Sequence, residues 1–134
     1  MWIFKLEDLS LWCKSFIEDQ NPFINGDGET SRDFIYVEDI VDANILVANS
    51  NIKGSHVFNV DSGENITLNN LFDLMRNKFN KLEVEPIYKD FRPGDIRHSL
   101  SNLTKIKKYL GYQVNHDIHD GLDKTIEWYK KKLK

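Results

Sequence analysis

The stretch Phe23-Ile24-Asn25-Gly26-Asp27-Gly28-Glu29-Thr30-Ser31-Arg32-Asp33-Phe34-Ile35-Tyr36-Val37-Glu38-Asp39-Ile40 changes backbone state twice. Phe23 to Asn25 reads as a short extended piece, closed by a turn that uses two glycines. Phe34 to Tyr36 is extended or begins the turn into a helix from about Val37 to Asn49. Glu38 and Asp39 suit the positive N-terminal end of that helix. Its apolar set (Val37, Ile40, Val41, Ile45, Val47, Ala48) is wide, which predicts a mostly buried helix.

The same alternation continues in both directions. Upstream, Leu9, Trp12, Phe16 and Ile17 share one helical face, predicting a helix over about Glu7 to Asp19 that Asn21-Pro22 ends. Downstream, His56 to Val60 is apolar enough for a strand in a sheet covered on both faces. Thr67 caps an amphipathic helix carrying Leu68, Leu71, Phe72, Met75 and Phe79. Val84 to Tyr88 alternates like a short strand, and Arg92-Pro93-Gly94-Asp95 is a loop by its Pro-Gly pair. Leu103, Ile106 and Leu110 mark a short helix with Gly111 at its C-cap. Ile118, Leu122, Ile126, Tyr129 and Leu133 line a last helix. The fold class is therefore α/β, helices with a few short strands. His56 to Val60 is the one strand suited to a central parallel sheet, and the sequence offers it few neighbours.

The chain has 134 residues, 40% hydrophobic and 29% charged, which is one domain of globular composition. A net charge of −3 asks for neither nucleic acid nor an anionic membrane as partner. The basic run Lys130, Lys131, Lys132 and Lys134 suits a solvated helix C-terminus. Cys13 is the single cysteine, so no internal disulfide forms. That fits a reducing, cytoplasmic compartment, with Cys13 a buried small apolar residue. Met1 to Phe16 carries Lys5, Glu7, Asp8 and Lys14, and reads as neither a signal peptide nor a membrane span.

Several constellations bear on chemistry. Gly26-x-Gly28 starts like a dinucleotide fingerprint but has Ser31 at the third slot and no helix directly after it. The turn reading stands and a cofactor site there is rejected. Arg32 and Arg92 each sit in or after a glycine-containing loop. Two guanidinium groups so placed suit a diphosphate, because their donors pair bidentately with its oxygens. Asp95 beside them can accept from vicinal hydroxyls. Spacing alone leaves an anion clamp and ordinary surface ion pairs both open. His116 and His119 stand three apart without a further ligand set, so no metal site is assigned. No Tyr is followed four positions later by Lys, and no catalytic residue is assigned.

Residues 26 to 40, then Phe58-Asn59-Val60-x-x-Gly63 with Thr67-Leu68, then Arg92-Pro93-Gly94-Asp95-Ile96-Arg97-His98-Ser99 with Leu110-Gly111-Tyr112, form three collinear motifs. Together they resemble the NAD-dependent nucleotide-sugar epimerases of the extended short-chain dehydrogenase/reductase family, nearest the UDP-N-acetylglucosamine 4-epimerase branch. The resemblance runs from about Ser15 to Lys134, while Met1 to Asp8 match poorly.

The resemblance implies that residues 1 to 134 are the C-terminal substrate-binding portion of an extended Rossmann-fold enzyme, without the N-terminal NAD-binding domain. Family members bind NAD there, so this chain alone is expected to hold none. A tyrosine of that domain removes the sugar 4-hydroxyl proton while hydride passes to NAD. By the match, Arg32 and Arg92 grip the diphosphate of a UDP-sugar, and Asp95 takes the ribose hydroxyls. Ile24 and Asn25 lie near the uracil. Ser99 matches a position that is small where N-acetylated sugars are accepted. Expected partners are a UDP-sugar, and a Rossmann-domain partner or a second copy through exposed apolar surface. This UDP-sugar-binding part of a 4-epimerase is expected to be inactive alone. Rival readings are an interaction module pairing with a separate Rossmann subunit, and part of another nucleotide-sugar decarboxylase or dehydratase.

Overall fold

The structure is a computed structural model and describes residues 6–133. The poor match of Met1 to Asp8 falls largely outside the described residues, as does Lys134 of the basic run.

Three helices and one strand build the larger core. Helix α1 is Leu6–Ile17, strand β1 is Phe23–Asn25, α3 is Leu68–Phe79 and α5 is Ile118–Lys132. Trp12, Cys13 and Phe16 from α1 meet Leu71, Phe72 and Met75 from α3 and Leu122 and Ile126 from α5, all buried. The apolar spacing of three and four dictates this, since each helix has one face to hide. Phe72 sits edge-on to Trp12 at 5.9 Å, and Phe16 lies 5.4 Å from Phe72 and 5.1 Å from Phe79. Trp12 also donates its indole N–H to the Phe23 carbonyl at 2.8 Å, tying α1 to β1.

Helix ends are chemically explicit. The α1 helix stops where Asp19 takes a left-handed φ of 56° and Gln20 N–H reaches back to the Ser15 carbonyl at 2.8 Å. Thr67 caps α3 by accepting from Asn70 N–H at 3.2 Å, as its position predicts. Gly111 closes α4 (Thr104–Leu110) in the left-handed region, also as expected. Cys13 is buried, and burial pushes its thiol up to about 12. A thiol so poor in thiolate is inert, in keeping with a packing role.

The strands form two small pairs. Strand β4 (Ile87–Lys89) runs parallel to β1, with Ile24 opposite Tyr88. Strand β2 (Ser31–Asp33) pairs antiparallel with β3 (Asn65–Thr67), with Arg32 opposite Ile66. Two sequence expectations change here. His56 to Val60 is not a strand and belongs to neither pair, and Val57 is 81% exposed. A ladder needs a second strand about 4.8 Å away, and none of the described residues supplies one. Helix α2 (Val37–Ala48) is not mostly buried either. Its inner face carries buried Asp39 and Ala43, whereas Val41, Ile45 and Val47 are exposed. A smaller core of Ala43, Leu103, Ile106 and Tyr112 joins α2 to α4.

No described helix is long and apolar enough to cross a membrane.

Candidate functional site

The site grows from a turn between β1 and β2. Gly26 and Gly28 have φ of 79° and 77°, the left-handed region that suits glycine. The turn is clamped from several sides. Asp27 accepts from Glu29 N–H at 3.0 Å, and the Gly28 and Thr30 carbonyls accept from Asn69 and Leu68 N–H, each at 3.0 Å. The start of α3 therefore holds the turn that delivers Arg32.

A second loop approaches from the end of β4. Gly26 N–H donates to the Lys89 carbonyl at 2.8 Å. The chain then turns at Arg92 to Asp95, closed by Asp95 N–H to the Arg92 carbonyl at 3.2 Å. Pro93 presets the first central residue, and Gly94 takes a φ of 74° at the second. The turn puts Arg92 and Asp95 side by side.

The two loops meet through side chains. Arg32 Nη2 donates to Asp95 Oδ1 at 2.6 Å, a largely sheltered ion pair with side chains 15% and 20% exposed. Arg32 Nη1 donates to the Ser31 carbonyl at 2.8 Å and reaches the Arg97 carbonyl at 3.4 Å. With the Asn25 amide turned so that its oxygen faces the guanidinium, it accepts from Arg92 Nη2 at 2.9 Å and Nε at 3.0 Å. Side-chain bonds link Asn25 to Arg92 and Asp95 to Arg32, and the backbone bond of the turn joins Arg92 to Asp95, so the four form one chain of contacts from β1 to β2. Outside it, Arg97 Nη2 donates to Asp27 Oδ2 at 2.6 Å, and its guanidinium lies 5.4 Å from the Phe91 ring. The Arg97 hydrogen bond holds the Asp27 carboxyl below the usual carboxylate range.

The remaining expected residues divide. Ser99 follows the same loop, and its N–H donates to the Ser31 carbonyl at 3.2 Å. Ile24 is buried in the larger core at 1% exposure, so of the pair expected near a base only Asn25 presents a side chain. His116 and His119 do not share a helix face, because His116 precedes α5. His116 instead contacts Asp39 at 3.2 Å and Lys124 at 2.8 Å. No described group of three His, Cys, Asp or Glu could hold a metal ion.

Sequence reasoning missed four participants: Asp27, Asn69, Arg97 and His98. Each has a partner 40 or more residues away, as with Asn69 on Glu29 at 2.7 Å. No local periodicity carries such a signal.

A family model described as GDP-mannose 4,6 dehydratase matches residues 12–125. The chain belongs to that family. Relatives in the family include nucleotide-sugar 4-epimerases. The UDP-glucose 4-epimerase of Thermotoga maritima, solved with UDP-glucose, is 35% identical with a TM-score of 0.87, over 94% of this chain and 40% of that one. The UDP-N-acetylglucosamine 4-epimerase of Methanobrevibacter ruminantium, solved with UDP-N-acetylmuramic acid, is 35% identical with a TM-score of 0.83, over 91% and 38%. UDP-glucuronic acid 4-epimerase of Bacillus cereus, solved with UDP-glucuronic acid and NAD, has a TM-score of 0.88 at 20% identity, over 93% and 40%. That last likeness is one of fold. This family member spans about two-fifths of the length of those relatives and matches a part of their Rossmann-type structures.

The Gly26–Gly28 turn is not built as a dinucleotide-binding turn. In a dinucleotide site the glycine turn opens a helix whose N-terminus meets the pyrophosphate. Here the Gly26–Gly28 turn opens β2.

Proposed function

We propose that this chain is the UDP-sugar-binding part of a nucleotide-sugar 4-epimerase, and that the NAD site and the hydride chemistry belong to a Rossmann domain. The continuous Asn25–Arg92–Asp95–Arg32 contact chain carries this reading. Arg32 pairs with the Asp95 carboxylate, and Arg92 heads the turn that ends at Asp95, on two loops joined by backbone hydrogen bonds. A diphosphate bears charge on several oxygens, and planar guanidinium groups pair with it in two-point contacts. In the role assigned here, Arg32 and Arg92 hold the diphosphate, Asp95 accepts from ribose hydroxyls, and Asn25 meets the uracil edge. Asp95 also fixes the Arg32 fork before any ligand arrives, which lowers the ordering cost of binding. The small Ser99 side chain leaves room for an acetamido group, favouring UDP-N-acetylglucosamine over UDP-glucose. The part played in turnover is positioning.

Calorimetry tests the site. UDP should bind the 134-residue chain, and Arg32→Ala or Arg92→Ala should weaken binding about tenfold or more. Unchanged affinity in both variants sinks the assignment. UDP-N-acetylglucosamine should bind more tightly than UDP-glucose; the reverse order removes the Ser99 argument. No epimerisation is expected on adding NAD, and observed turnover overturns the division of labour.

A second reading is favoured by the exposed Val41, Ile45, Val47 and Val57 side chains. On this view the chain pairs with a separate Rossmann subunit or with itself. The family model's own description keeps a nucleotide-sugar dehydratase in play as the reaction of the complete enzyme.

A further inference from the structure

We propose that His98 is a positioning residue for nucleotide binding: through Nδ1 it locks the Arg92–Asp95 loop onto β2 at Ser31, and so sets the distance between the two arginines. The inference rests on the nucleotide-binding reading above.

The joint is a single residue pair. Ser31 and His98 form an isolated parallel bridge. Ser31 N–H donates to the Arg97 carbonyl at 2.9 Å, and Ser99 N–H donates to the Ser31 carbonyl at 3.2 Å. Two backbone bonds make a short seam, with Arg32 next to it on one strand and Asp95 three residues before it on the other. The side chains add a third tie, Ser31 Oγ to His98 Nδ1 at 2.9 Å.

The direction of that tie follows from hydrogen counting. Ser31 is buried at 5% exposure. Its hydroxyl needs an acceptor, since an orphaned buried donor is costly. Asn65 Nδ2 lies 3.3 Å from the same oxygen and can only donate. Nδ1 of His98 accepts the hydroxyl hydrogen in the tautomer whose imidazole proton is on Nε2, and we assign that tautomer. What Ser31 requires is therefore an acceptor one atom beyond Cγ. An asparagine carbonyl oxygen occupies that place, and an alanine offers nothing.

Loss of the tie loosens the loop where Arg92 and Asp95 approach Arg32. Two guanidinium groups that wander relative to each other pay ordering entropy when they close on one diphosphate. His98 itself is exposed, so its truncation empties no core.

The test is UDP calorimetry on the full chain, with amide exchange at Ser99 and thermal melting in parallel. His98→Ala is expected to weaken UDP binding about fivefold, to speed Ser99 exchange, and to lower melting by a few degrees through the orphaned Ser31 hydroxyl. His98→Asn should restore wild-type affinity. Ser31→Ala should match His98→Ala, and the double variant should be no worse than either single one, because all three remove the same bond. Wild-type affinity in His98→Ala overturns the proposal while the nucleotide reading stands, as does an asparagine variant as weak as the alanine one. If wild type fails to bind UDP, the nucleotide reading itself falls and the positioning role falls with it. Should His98→Ala not fold, Ser31→Ala reads the same bond, and wild-type affinity there is equally fatal.

Discussion

Gly28 combines a left-handed φ of 77° with a crowded neighbour: a β-carbon there would overlap the Asn69 side-chain amide. Asn69 cannot step aside cheaply. Its Nδ2 donates to the Asp27 carbonyl at 3.1 Å and to Glu29 Oε1 at 2.7 Å, and its Oδ1 accepts from the Tyr88 hydroxyl at 2.8 Å. Gly94 has a similar φ of 74° with open space around it. Gly28→Ala should therefore cost about 3 kcal/mol, adding lost hydrogen bonds to backbone strain, and Gly94→Ala about 1 kcal/mol from strain alone. Urea unfolding of the two variants checks this, and equal losses would show that Asn69 yields freely. The glycines as a turn were legible from the chain. That one is crowded and the other open was not, because the crowding atom belongs to a residue 41 positions later.

The segment from His56 to Gly63 shows how an element can be held without a ladder. Its start lacks strand partners among the described residues, and its end is fastened by carboxylates. Asp33 Oδ1 accepts from Ser62 N–H at 2.9 Å, and Oδ2 from Gly63 N–H at 2.9 Å. Asp61 accepts from the Ser101 hydroxyl at 2.6 Å, and its carbonyl accepts from the Tyr112 hydroxyl at 3.3 Å. Burial, together with the nearby Asp33 carboxylate, pushes the Asp61 carboxyl up to about 6 from an ordinary 3.8. The sign is as follows for an acid raised on folding. Between these values the folded state holds more protons than the unfolded one, so this contribution is complete below pH 3.8 and lost as pH rises through about 6. Partial solvent access reduces its size to about 1 kcal/mol. Asp61→Asn keeps an acceptor for Ser101 and carries no charge. The variant should gain on wild type as pH rises over that window, read by urea midpoints at matched pH. A constant difference between the two would refute the account.

Among the described residues, most buried apolar side chains fall in two clusters, Ile35 is buried outside both, and other large apolar side chains remain exposed. Val41 and Ile45 lie four apart on the outer side of α2, at 49% and 51% exposure, and Val57 is at 81%. Such surface invites association. The chain should therefore sediment as a species larger than its 15.7 kDa mass, and Val41→Lys with Ile45→Glu should return it to that mass. A wild-type monomer at high concentration would mean that this surface is tolerated in water. The wide apolar set of α2 was read in the sequence as the mark of a mostly buried helix. Its burial was wrongly expected, because periodicity reports which side chains avoid water and not whether a neighbour arrives.

The sequence by itself determined the α/β class, the Thr67 and Gly111 caps, the paired apolar faces of α1, α3 and α5, and the two arginine loops. Each is a local property, since helix period, cap chemistry and turn glycines act within a few residues. Only the tertiary structure decided that Ile24 is core while Asn25 faces Arg92. It alone brought His98 to Ser31, 67 positions apart, and left His56 to Val60 without a ladder among the described residues. Those outcomes depend on contacts between distant segments, and such contacts leave no spacing in the chain to be read.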